Sequence, residues 1–186
     1  FSAAFEHGVM PATLVNDAPL FFDAATTGSR PWAPRNYDGE FQGPMTVRTA
    51  MARSRNLPAV GLLQAVGPQT AQDWLTRFGF DTARHPPFLT MALGAGSVTP
   101  LQMASAYAVF ANGGHLLAPT LISRVSDAEG RVLFQARPPV LDDRTRTLDP
   151  RNAFLMAELL REVTRSGTGA RAQATLQRPD LYGKTG

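Results

Sequence analysis

The chain contains one lysine, Lys184, in the tripeptide Lys184-Thr185-Gly186, and its other 17 basic residues are all arginine. A chain that uses arginine everywhere else marks this position as one that takes a compact ammonium, where a planar guanidinium does not serve. Lys-Thr-Gly is one of three short motifs of serine acyl-transfer chemistry. A second, Ser-x-Asn, stands at Ser54-Arg55-Asn56. The third, Ser-x-x-Lys, carries the nucleophilic serine and needs another lysine, so it cannot occur in these 186 residues. The sequence therefore reads as the supporting part of an acyl-transfer site, with its nucleophile expected outside it. Both ends read as cuts inside a longer protein: Phe1 to Glu6 looks like the tail of a helix already under way, with no signal peptide before it.

Composition narrows the alternatives. A length of 186 residues suits one domain of ordinary size, and 44% hydrophobic residues is normal for a core. The net charge of +3 and pI near 9.9 come with arginines scattered along the chain, not gathered into the basic stripe that nucleic-acid binding needs. Cysteine is absent, which excludes disulfides, thiol catalysis and cysteine-based metal sites. His7, His85 and His115 lie far apart without ligand spacing and read as surface or turn residues, so no metal is implied. The segment from Pro86 to Ser123 carries no charge unless His115 is protonated. Its glycines, Pro100 and polar residues make it buried core and not a membrane span.

The elements that must position the motifs follow from local signals. A helix ends near Gly8, and residues 10 to 43 read as one long loop. Pro44 is placed to open a short helix over Met45 to Arg53, which Ser54-Arg55-Asn56 interrupts. Pro58 opens the next helix, ending near Gly67, and Pro68 another, with Gly79 as its stop. Thr99, Pro100 and Gln102 form a capping box for a helix to Ala111, in which Tyr107 and Phe110 read as core. Pro119 to Ser126 and Arg131 to Gln135 read as a hairpin. Asp149-Pro150 caps a last helix that stops at Ser166-Gly167, and Asp180 to Gly186 enters a strand. Asp142 and Asp143 are adjacent, not convergent, and read as a solvated loop. The class is α/β or α+β, helix-rich with an incomplete antiparallel sheet.

Longer stretches carry a family resemblance. Pro34-Arg35-Asn36-Tyr37-Asp38-Gly39-Glu40-Phe41-Gln42-Gly43-Pro44, then Ala52-Arg53-Ser54-Arg55-Asn56-Leu57-Pro58-Ala59-Val60, are followed by Val98 to Tyr107 and by Phe110-Ala111-Asn112-Gly113-Gly114. Gly167-Thr168-Gly169 stands about fifteen residues before Lys184. In order and spacing this resembles the transpeptidase domain of class A penicillin-binding proteins, the bifunctional peptidoglycan synthases, across nearly the whole chain.

The resemblance implies a serine DD-transpeptidase fold, shared with β-lactamases, of which residues 1–186 would be one part. It implies acyl transfer: a serine just upstream of Phe1 attacks the carbonyl between two D-alanines of a peptidoglycan stem peptide, D-Ala leaves, and an amine of a neighbouring strand takes the acyl group. It implies acylation by β-lactams, no cofactor, a membrane anchor and a glycosyltransferase domain elsewhere in the protein, and a periplasmic location. The chain alone is expected to be inactive. Lys184 would favour the neutral form of the Ser-x-x-Lys lysine and attract the substrate carboxylate, with Thr185 offering a hydroxyl and Gly186 letting the backbone approach. Ser54 and Asn56, two apart in an extended loop, would share one side, relaying a proton and holding the substrate amide, while Arg55 faces away as a variable position. Gly167-Thr168-Gly169 would be a structural turn near the cleft, without a catalytic role. The competing reading is a non-catalytic peptidoglycan- or partner-binding domain on the same scaffold. A β-lactam-hydrolysing enzyme fits less well, because no separate deacylating carboxylate stands out.

Overall fold

The computed structural model describes residues 1–27 and 29–186. Helix α1 (Ser2–Glu6) leads to strand β1 (Leu14–Asp17), the short α2 (Ala24–Thr27) and strand β2 (Gly43–Thr46). Then come α3 (Val47–Ala52), α4 (Asn56–Val66), α5 (Pro68–Leu75), three single-turn 3-10 helices between residues 76 and 93, and α6 (Pro100–Ala111). A hairpin of β3 (Arg124–Ser126) and β4 (Val132–Gln135) precedes α7 (Pro150–Arg165) and α8 (Ala170–Leu176). The architecture of the described residues is mixed, helix-rich with two small two-stranded antiparallel sheets.

Helix α7 is the axis of the core. Its buried Met156, Leu159, Leu160 and Val163 pack with Ala4 and Phe5 of α1, Val47 and Met51 of α3, and Leu62 of α4. The i, i+3, i+4, i+7 recurrence of these α7 residues is what one buried helical face requires. A smaller cluster joins Phe78, Ala106, Val109 and Leu148. A buried polar tie fixes α1 to α7: Ser2 Oγ donates to Asn152 Oδ1 at 2.8 Å, and Asn152 Nδ2 donates to the Ser2 carbonyl at 2.9 Å. Each partner answers the other, so neither polar group is buried at a loss.

Local caps set several boundaries. Thr99 and Gln102 form the full reciprocal capping box on α6, Asp149 Oδ1 accepts from Arg151 N at 2.8 Å at the start of α7, and Gly79 adopts φ 78° where the turn after α5 ends. Pro44 behaves differently from its expected place. It lies in β2 opposite Asn16, where a missing N–H is harmless on an edge, and α3 starts three residues later with Thr46 as cap, its hydroxyl accepting from Thr49 N at 3.1 Å. The expected long loop likewise contains β1, which registers Leu14 with Thr46 and Asp17 with Gly43. Helix α4 opens at Asn56, with Pro58 inside its first turn. Helix α8 follows the glycine-rich bend at 167–169, in a stretch for which no element was expected, and residues 182–186 run without a strand partner among the described residues.

Two burial expectations are corrected. His85 and His115 are buried, His115 Nδ1 lying 2.9 Å from Thr145 Oγ1, because turns that pack inward still need their polar groups answered. The uncharged segment is not uniformly core: α6 buries Ala106 and Val109, while Leu101, Met103 and Tyr107 stay exposed. One side of α6 borders an apolar cleft of about 300 Å³ shared with α1, α4 and α5. Among the described residues no helix is long and apolar enough to cross a membrane.

Leu159 has no exposed surface at the centre of the main cluster. Leu159→Ala is expected to lower stability by about 2–5 kcal/mol, through lost transfer energy plus the cavity left behind, read as a shift in the chemical denaturation midpoint.

Candidate active site

The two motifs, 130 residues apart in sequence, meet in space. Lys184 Nζ lies 2.5 Å from Ser54 Oγ and donates to the Thr185 carbonyl at 2.7 Å. An ammonium has three N–H donors, so one remains for a ligand. Lys184 is half-buried and pairs with no carboxylate among the described residues. Burial alone pushes its pKa below the ordinary value of about 10.5, because desolvation penalises the charged form and nothing opposite in sign offsets it.

Helix α7 mounts the Lys184 segment. Thr164 Oγ1 reaches the Leu181 carbonyl at 2.6 Å, and Gly183 N donates to the Leu160 carbonyl at 3.3 Å. Leu160 and Thr164 are both buried residues of α7, so the position of Lys184 is inherited from the core.

Ser54 is held from the other side. After α3, Ser54 N donates to the Met51 carbonyl at 3.1 Å and Arg55 N to the Ala50 carbonyl at 2.9 Å. Ser54 takes φ 54°, the left-handed region, rare for a residue with a Cβ. Asn56 follows as the first residue of α4. The segment is therefore a tight turn between two helices and not the extended loop expected. Ser54 turns to Lys184, while Asn56 Nδ2 donates to the Arg35 carbonyl at 2.8 Å.

Two further residues belong to this region, and motif reading sets both aside. Thr168 Oγ1 lies 2.6 Å from Thr185 Oγ1, and Thr168 N donates to the Ala52 carbonyl at 3.0 Å. The turn at 167–169 thus bridges the end of α3 to the Lys-Thr-Gly segment. Gly167 is required there by close approach: a Cβ on it would overlap the Ala52 carbonyl. By contrast, a Cβ on Gly186 would meet nothing within 4 Å, so packing within the chain makes no demand for glycine at that place. The second missed residue is Arg55. It is buried and not a solvent-facing position, with Nε 2.8 Å from Asp17 Oδ2 and Nη1 2.6 Å from Asp38 Oδ2. Buried arginines need partners, and those partners lie 17 and 38 residues away, beyond the reach of motif reading.

A half-buried ammonium with no carboxylate partner, beside a serine hydroxyl and a pair of threonine hydroxyls, is an arrangement that can receive an anionic group. The penicillin binding protein transpeptidase domain family matches residues 1–186, and the chain belongs to that family. Penicillin-binding protein 1A of Neisseria flavescens is 40% identical over 187 residues, covering 100% of this chain and 23% of that protein. The chain therefore spans about a quarter of that relative's length. The crystal structure of penicillin-binding protein 1A from Haemophilus influenzae superposes with a TM-score of 0.90 at 29% identity, covering 100% of this chain and 32% of the other. Penicillin-binding protein 3 from Mycobacterium tuberculosis, complexed with aztreonam, aligns at TM-score 0.70 and 25% identity over 92% of this chain and 42% of that one. The mixed fold described above is the transpeptidase fold of these neighbours.

Gly167→Ala tests whether the 167–169 turn sets the site. Displacing the Ala52 carbonyl moves the start of the Ser54 turn, and the full-length protein is expected to react with a fluorescent penicillin at least about tenfold more slowly, as misplacements of this kind cost. Labelling at the wild-type rate would show that the turn is merely tolerated.

Proposed function

We propose that residues 1–186 form part of a serine-type DD-transpeptidase domain that cross-links peptidoglycan stem peptides and is acylated by β-lactams. The observation that carries this reading is the Ser54–Lys184 contact, with its unpaired, desolvated ammonium next to Thr185. In the proposed reaction a serine of a Ser-x-x-Lys motif, which these residues do not contain, attacks the carbonyl between two D-alanines. The peptide C–N bond breaks, the terminal D-Ala leaves carrying a proton, and an amine of a neighbouring stem peptide then takes the acyl group from the serine ester and releases the serine.

Each residue of the chain has a part. Lys184 attracts the substrate's terminal carboxylate through its free N–H, and Thr185 adds a hydroxyl to the same group. Lys184 also favours the neutral form of the Ser-x-x-Lys lysine, since two close ammonium groups disfavour each other. Ser54, hydrogen-bonded to Lys184, relays a proton toward the leaving amine. Asn56 holds the substrate amide, for which its side chain exchanges the Arg35 carbonyl for a ligand. Gly186 admits the substrate backbone. No metal or cofactor takes part. The reading extends to a protein anchored at the extracytoplasmic face of a bacterial membrane, with a glycosyltransferase domain elsewhere in its chain. Support for β-lactam recognition comes from the related penicillin-binding protein 3, complexed with aztreonam.

Intact-mass spectrometry of the full-length protein after benzylpenicillin treatment, with the adduct mapped by digestion, tests the assignment. The expected result is one adduct on a Ser-x-x-Lys serine and none on Ser54. An adduct on Ser54 would make the Ser54–Lys184 pair itself the nucleophilic dyad and overturn the roles of both residues. Folded protein without any adduct would favour a non-catalytic binding domain.

The pH dependence follows from Lys184. Its ammonium is the form that binds a carboxylate, so acylation is expected to decline as pH rises through its lowered pKa, on a limb below the ordinary value of about 10.5. Lys184→Arg keeps a charge throughout that range and is expected to abolish the limb, whatever it costs in rate. An unchanged limb in that variant assigns it to another group.

A further inference from the structure

Around Arg55 the chain builds a closed polar network. Arg55 Nε donates to Asp17 Oδ2 at 2.8 Å, Nη1 to Asp38 Oδ2 at 2.6 Å and Nη2 to the Glu40 carbonyl at 2.6 Å. Asp17, which has no exposed surface, also accepts from Asn36 Nδ2 at 2.7 Å and from Gln42 N at 3.1 Å. Asn36, itself buried, donates to the Glu40 carbonyl at 2.8 Å and turns its Oδ1 to Asn56 N, also at 2.8 Å. Asn36 is therefore a cap supplied from another segment to the first residue of α4.

The consequence lies at the residues on either side of Arg55. Ser54 is at φ 54°, and Asn56 begins a helix, so the backbone reverses sharply across Arg55. A conformation of that kind persists only where its surroundings over-determine it. The three nitrogens of one rigid fork, bound to three acceptors on different residues, supply that constraint and fix the side-chain origin between Ser54 and Asn56.

We propose that Arg55, held by Asp17 and Asp38, is a positioning residue for acyl transfer: it sets the Ser54 hydroxyl against Lys184 and fixes Asn56 at the start of α4. The inference rests on the reading of Ser54, Asn56 and Lys184 as the shell of an acyl-transfer site. It deepens that reading by assigning a task to the middle residue of the Ser-x-Asn motif and to the loop of residues 36–42. Capture of the substrate carboxylate belongs to Lys184 and Thr185, which are outside the Arg55 network, so loosening Arg55 is expected to act on the chemical step far more than on capture.

The test uses the full-length protein with benzylpenicillin, resolving the limiting acylation rate from the half-saturating concentration. Two variants are compared: Arg55→Lys, which keeps the charge but has one nitrogen for three acceptors, and Asp38→Ala, which leaves the buried Arg55–Asp17 pair in place. Asp38 is about half exposed, its side chain at 46% relative accessibility, so its removal spares the interior. The expected outcome for both is a limiting rate lowered by about tenfold to a hundredfold, the range that small misplacements of reacting groups cost. The half-saturating concentration should stay within about twofold of wild type, and the melting temperature of Asp38→Ala should be unchanged. Asp38→Glu, which restores a carboxylate, should recover part of the rate. Wild-type limiting rates in folded Arg55→Lys and Asp38→Ala would overturn the proposal, as would a lowered rate together with a raised half-saturating concentration and a lowered melting temperature in Asp38→Ala. Wild-type protein that forms no adduct would instead remove the underlying reading of the site, a failure visible before any variant is made.

Discussion

A guanidinium withdrawn from water must have its N–H groups answered, and that demand at Arg55 organises the first third of the chain. Its acceptors come from the end of β1 and from residues 38 and 40, so β1, the following loop and the turn before α4 have to converge on one point. The pair gains little over an apolar replacement, since desolvating two charges consumes most of what their attraction returns. What it does provide is direction. A planar fork with three assigned partners admits one arrangement, whereas a hydrophobic plug of the same volume would leave the Ser54 turn free to relax.

The second half of the site rests on a different kind of support. Helix α7 buries Leu159, Leu160 and Val163 in the core and uses the Leu160 carbonyl and the buried Thr164 hydroxyl to receive the 181–183 segment. Just past α7, the turn at 167–169 returns to the Ala52 carbonyl, at the end of α3. Helices α3 and α7 therefore face each other with Ser54 following one and Lys184 docked on the other. The spacing between the two functional groups is a packing distance between two helices, which close-packed interiors hold to within fractions of an ångström.

What could be read in the sequence was whatever is encoded locally. The capping box at Thr99 and Gln102, the Asp149 cap and the Gly79 stop each lie within a few residues of the boundary they fix, and the two tripeptides with their flanking stretches pointed to the family. Strand β1 could not be read that way, because four residues with no strong alternation become a strand only through β2, some thirty positions later. Pro44 was ambiguous for a physical reason: a missing N–H is equally harmless at the first position of a helix and on an edge strand, and pairing with Asn16 decides between them. The roles of Arg55 and Thr168 were hidden for the same cause, since both are defined by partners distant in sequence.

The use of one lysine among seventeen arginines has an explanation in these two environments. Arg55 occupies a place where each of its three nitrogens has an acceptor, which suits a rigid fork and would strand a lysine with two carboxylates and one nitrogen. Lys184 occupies a place where Ser54 Oγ and the Thr185 carbonyl take two N–H groups of a compact ion and a third stays open. A guanidinium there would spread its charge over a wider, flatter group and resist the loss of a proton at any accessible pH. An ammonium whose pKa burial has already lowered is more responsive to what binds beside it. The paired cation is tied to its partners on three sides, and the unpaired one keeps a donor open, as the proposed substrate contact requires. Exchanging the two residue types would break both sets of contacts, because neither side chain has the geometry the other position demands.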